Sequence, residues 1–176
     1  MVGLSPAVTI KSADANWSEL VGPSSTLVVP ANIAGTLPNN GATPSASGSD
    51  PKLMQKLADG GFLAVTSYDG DAPLATLVPG VTPLALMPVD ALPTTAFRLS
   101  RFAYLRRTKR RVVIEIPTTS AYLEIHGPRV AAVVAGLAFD QTPIALAASS
   151  GLSASGVCEV LGLMRSIGIV MAVARG

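Results

Sequence analysis

The stretch FRLSRFAYLRRTKRRVVIEIP, residues 97 to 117, sets seven Arg and Lys side chains within positions 97–111 and then turns apolar. A run of this kind either meets anionic groups on a partner or keeps a turn soluble. Other groups capable of chemistry are sparse. A general base needs a group that titrates near the working pH, and the chain holds one histidine, His126. Its one cysteine, Cys158, excludes an internal disulfide, and a single Cys with a single His does not make a zinc site. Cys158 lies three residues before Leu161 on a helical pattern and reads as a packed thiol. There is no G-x-G-x-x-G, no P-loop and no G-x-S-x-G, and the carboxylates are scattered. The residues therefore predict no catalytic group, no metal site and no cofactor held by this chain.

The elements that position these groups follow from periodicity. Phe102, Tyr104 and Leu105 begin a strand that turns at Arg107-Thr108-Lys109, and Val112 to Ile116 return as a β-branched strand closed by Pro117. AYLEIH, residues 121–126, is a third strand, with Tyr122, Glu124 and His126 on one face and Leu123 and Ile125 on the other. Pro128 suits the first turn of a helix over 128–138. A short helix follows at 143–148, then a longer one at 154–166, capped by Ser153 and stopped by Gly168. Residues 169–173 form a last strand. The order βββαααβ predicts a winged helix-turn-helix-like unit of α+β class.

The first half repeats the end of this unit. LMQKLADGGFLAVTSY, 53–68, aligns with VLGLMRSIGIVMAVAR, 160–175, with Gly61 over Gly168, Leu57 over Met164 and Phe62 over Ile169. In each copy an apolar helix face ends at a glycine and runs into a strand; the first continues through the Asp69-Gly70 turn into a return strand, 73–78. Two such units are expected: residues 1–80, with a long loop at 35–51 and a strand pair VTIKSA and STLVVPA near the N-terminus, and residues 97–176. The proline-rich segment 81–96 connects them.

The charge is unevenly divided. Through Ala96 there are three Lys/Arg against seven Asp/Glu; from Phe97 on there are ten against four. At 49% hydrophobic and 14% charged residues, the composition points to a surface covered by a partner. No signal peptide or membrane-spanning run is evident, and one reduced cysteine suits the cytoplasm. A winged helix with a basic segment admits a DNA-binding regulator as the alternative. Helix 154–166 carries only Arg165 and Glu159, whereas the positive charge sits on a hairpin, so nucleic acid is disfavoured. The favoured reading is an extended peptide added as a strand. Its expected site is the groove of Tyr122, Leu123, Glu124, Ile125 and His126 with Val157, Leu161 and Met164. Tyr122, Glu124 and Val157 are expected to be its more exposed members. Arg106, Arg107, Lys109, Arg110 and Arg111 are candidates for electrostatic docking.

RLSRFAYLRRTKRRVVIEIPTTSAYLEIHGPRVAAVVAGLA resembles the segment before the flavin domain of SagB-type azoline dehydrogenases, through RLSRFAYLRR, the EIP ending at Pro117 and HGPR. LADGGFLAVTSYDGDAPLATLVP resembles their first winged-helix unit, so the likeness covers about residues 50–176. The resemblance implies a role in maturing ribosomally made peptides that carry thiazole or oxazole rings. It also implies winged-helix units, like the peptide recognition elements of such systems, that grip the precursor's leader. A nitroreductase-like domain with FMN, which would oxidise azolines to azoles, would follow the last strand. The expectation is thus a non-catalytic subunit or fragment whose partners are a leader peptide and a flavin-dependent dehydrogenase, with a second copy of the chain as a further candidate partner. A truncated, non-functional remnant is the third reading.

Overall fold

In the computed structural model, the described residues are 2–4, 9–12, 17–21 and 26–30 as backbone, then 56–57, 62–80, 87, 89, 95–108 and 111–173. They divide into two compact units, Met1–Thr66 with Val78–Leu84, and Ser67–Leu77 with Ala85–Gly176. The loop expected at 35–51, Lys109 and Arg110 lie outside the described residues, as does most of the proline-rich connector.

In the first unit β1 (Val2–Leu4) precedes β2 (Thr9–Ser12), β3 (Trp17–Val21) and β4 (Thr26–Pro30). The two strands expected here both form, but they are not neighbours. β3 lies between them, antiparallel to each, with Ile10 opposite Leu20 and Leu20 opposite Leu27. Ser18 and Glu19 interrupt the apolar pattern of β3, which removes its signature from the sequence. β1 pairs antiparallel with β5 (Leu63–Asp69), Val2 opposite Val65.

The internal repeat has a structural counterpart. The Phe62 N–H donates to the Leu57 carbonyl at 2.9 Å, and the Ile169 N–H donates to the Met164 carbonyl at 2.9 Å. These are aligned positions, and all four side chains are buried. A bond from residue i+5 back to residue i is the outer bond of a Schellman helix end. In the second copy Gly168, with φ 75°, supplies the left-handed residue that motif requires.

In the second unit Ser67–Asp69 turn through Gly70-Asp71 into β6 (Ala72–Val78). Then come β7 (Ala96–Leu99), β8 (Tyr104–Arg107), β9 (Val112–Glu115) and β10 (Tyr122–Ile125). Three helices follow, α1 (Pro128–Gly136), α2 (Pro143–Ser150) and α3 (Ala154–Ser166), and then β11 (Val170–Val173). From β8 onward the order is βββαααβ, within a mixed α+β fold. Pro128 and Pro143 open α1 and α2, Thr142 accepts a bond from the Ala145 N–H, and Ser153 accepts one from the Gly156 N–H.

Two features differ from expectation. The first strand begins at Tyr104, because residues 100–103 form a turn closed by the Ala103 N–H to the Ser100 carbonyl at 3.0 Å. Before it stands β7, which pairs antiparallel with β11, Met171 opposite Arg98 and Val173 opposite Ala96. The other edge of β7 bonds to Gln141 and Leu137, so Phe97 is buried.

The strands run β6-β10-β9-β8 across the sheet. Leu74 and Leu77, Ile114, Leu123, Val133, Leu146 and the inward stripe of α3 are buried in this unit. Among the described residues no single helix is long and apolar enough to cross a membrane.

Candidate functional site

β10 and α3 form the two walls of the expected groove, and the groove is already filled. β10 pairs with β9 along one side, Tyr122 opposite Glu115 and Glu124 opposite Val113. Along its other side lies β6, with the His126 N–H donating to the Leu74 carbonyl at 2.9 Å. The chain's own hairpin occupies the position expected for an added peptide strand. Leu74 reaches α3 closely: a Cβ on Gly156 would stand 3.2 Å from its Cδ1. The Gly156 position thus admits the β6 side chain where a larger residue would press on it.

The hairpin is also tied by polar groups. The Ser153 hydroxyl donates to Asp69 Oδ1 at 2.7 Å, and the Ser153 N–H donates to Asp69 Oδ2 at 3.4 Å. Arg129 Nη1 stands 3.6 Å from the same carboxylate. The Ser153 bonds, with help from Arg129, hold the Asp69 carboxyl below its ordinary range. At the other end of β6, Thr76 Oγ1 and His126 Nε2 share a hydrogen bond of 2.8 Å. Burial pushes the His126 imidazole below its ordinary value.

Of the residues expected to receive a peptide, Leu123, Val157, Leu161 and Met164 are fully buried, Ile125 nearly so, and Tyr122 and His126 half-buried. Two expectations of exposure are corrected. Val157 has 0% exposure because it lies on the same α3 stripe as Leu161 and Met164, at the i, i+4, i+7 spacing of an inward face. Glu124 is 5% exposed because β10 is an interior strand, and its carboxylate pairs with Arg111. The exposed residues of α3 include Ser155, Glu159 and Arg165. That face carries one cation and one anion.

The polar face of β8 to β10 is a chain of mutual partners. Arg106 meets Glu115 through Nε at 2.9 Å and Nη2 at 3.3 Å. The hydrogen bond from Arg106 keeps the Glu115 carboxyl low, and a hydrogen bond to Glu115 raises the Tyr104 phenol. Burial raises Tyr122. These tyrosines stay protonated and Glu115 stays ionised, so the cluster holds strands together and moves no proton near neutrality. Burial also raises the Cys158 thiol, which suits the packed role read for it. Asp69, Thr76 and Ser153 emerge as groove residues only in the structure. Asp69 and Ser153 are 84 positions apart, and no local pattern joins them.

No curated protein matches the sequence. Residues 97–174 match the family model described as cyanobactin oxidase ThcOx. The matched segment coincides with the run from β7 to β11, two strands that pair with each other. The segment that holds β10 and α3 is thus similar to the cyanobactin oxidase family.

Proposed function

We propose that this chain is a non-catalytic, peptide-recognising component of a SagB-type azoline dehydrogenase system in the cytoplasm. In this reading it binds the leader of a ribosomally made precursor peptide and docks a nitroreductase-like partner that holds FMN. The family match supplies the oxidase context. The observation that carries the reading is that the groove between β10 and α3 accommodates an extended strand, since β6 lies in it. A leader with apolar residues at alternate positions could exchange with β6. Release of β6 exposes Leu74 and Leu77, at a cost of roughly 1.5–3 kcal/mol each. An incoming strand that buries equivalent side chains and restores the backbone bonds of β10 offsets this.

The test is a titration of a labelled synthetic peptide with apolar residues at alternate positions against the parent protein and Asp69→Ala. Saturable binding that tightens in Asp69→Ala, where the hairpin is untied, is the expected result. No binding to either folded protein would overturn the reading. Co-purification of a flavoprotein with the chain, with the flavin on the partner, tests the docking half.

A further inference from the structure

We propose that the outer edge of β8 is a separate docking surface for an extended acidic peptide segment. Among the described residues β8 pairs only with β9, Tyr104 opposite Glu115 and Arg107 opposite Val112, and it stands at the end of its sheet. All four of its residues are exposed. An open strand edge is a template for a further strand, and proteins commonly blunt such edges with charge. This edge is charged, but it is not blunted in the usual way. Leu105 remains 51% exposed and Phe102, just before the strand, 54% exposed. Apolar surface beside open backbone groups favours strand addition.

The charge selects the occupant. Arg106 and Arg111 are neutralised by Glu115 and Glu124. Among the described residues neither Arg107 nor Arg101 enters an ion pair, and Arg101 lies over the Phe102 ring at 4.7 Å. A second copy of the chain pairing through the same edge would bring arginines against arginines, which is unfavourable across strands. An extended peptide with acidic residues at alternate positions reverses that sign. Its backbone bonds to β8, its carboxylates lie on the face that Leu105 and Arg107 share and meet Arg107, and its apolar residues lie beside Tyr104 on the opposite face. A nucleic acid would use the arginines but leave the strand edge unpaired. This surface is distinct from the β10–α3 groove and does not require the groove to open.

The experiment uses the full chain with two synthetic peptides, one alternating Val and Glu and one alternating Val and Lys, and with poly-uridine RNA. The Val/Glu peptide should bind, protect the Tyr104–Arg107 amides from hydrogen exchange, and lose at least about tenfold in affinity in Arg107→Glu and in Leu105→Asp. Both substitutions are at exposed positions, and unchanged thermal unfolding will show that they spare the fold. Asp69→Ala should leave this binding unchanged, which separates it from the groove. Failure of the Val/Glu peptide to bind, equal binding of Val/Lys, or protection that falls elsewhere would overturn the proposal. RNA binding lost in Arg107→Glu without any peptide binding would overturn it in favour of nucleic acid. Concentration-dependent dimerisation that protects β8 would overturn it in favour of self-association.

Discussion

The Ser153 hydroxyl accepts the Gly156 N–H at 3.0 Å while donating to Asp69 at 2.7 Å, so one side chain both caps α3 and holds the β5/β6 hairpin. Ser153→Ala removes both roles at once. It should lower unfolding free energy by about 1 kcal/mol from the lost cap. Ser153→Asp restores a cap acceptor but sets two carboxylates together, so hydrogen exchange in 67–77 should rise more than in the Ala variant. Equal urea midpoints for the parent and Ser153→Ala would contradict this division of labour.

Acid should loosen the same tie. The folded protein holds Asp69 low through Ser153 and Arg129, and Glu115 low through Arg106. A carboxylate with a depressed folded value contributes stability above its unfolded value, about 4, and loses it as pH falls through the folded value. Urea unfolding between pH 5 and pH 2 should therefore show falling stability, and Asp69→Asn should flatten part of that slope. A slope unchanged in Asp69→Asn would mean that Asp69 carries none of it.

His126 is the chain's single histidine, so one imidazole signal reports on the β6–β10 junction. Burial is the larger influence on it, and its NMR titration should fall below the usual value of about 6.5. Because protonation is disfavoured in the folded state, this contribution is present above pH 6.5 and is lost on acidification through the lower folded value. A midpoint above 6.5 would contradict the half-buried neutral ring.

Substitutions in the α3 stripe should act on the fold before they act on any ligand. Leu161→Ala is expected to cost roughly 2–5 kcal/mol, measured by urea unfolding. Val157→Asp places a charge where no solvent reaches and should prevent folding. Glu159→Lys, on the exposed side of the same helix, should leave circular dichroism and melting nearly unchanged. A folded Val157→Asp protein would show that this part of α3 faces outward.

The helices of the second unit were legible because each carries a local start signal, Pro128, Pro143 or Ser153, before an apolar stripe of helical spacing. The repeat was legible because the same helix-end bond recurs at Phe62 and Ile169. What failed was long-range pairing. Arg98 interrupts the apolar signature of β7, and its partners, Gln141 and Met171, lie far along the chain. Alternation correctly separated Glu124 from Leu123, but it gave no sign that β6 would close the outer side of β10 or that Arg111 would meet the carboxylate. The groove was recognised by its walls, and its resident strand was not.

The pairing of β7 with β11 sets Ala96 opposite Val173. Chain entering the matched region and chain leaving it therefore run side by side, in opposite directions, at one end of a two-stranded ribbon. A polypeptide that supplies β6 to pair with β10 can thus accept this stretch without having its two attachment points prised apart. By the same logic, joining residue 173 to residue 96 through a short Gly/Ser linker and opening the chain between β8 and β9 would give a circular permutant that keeps every strand pair of this region intact.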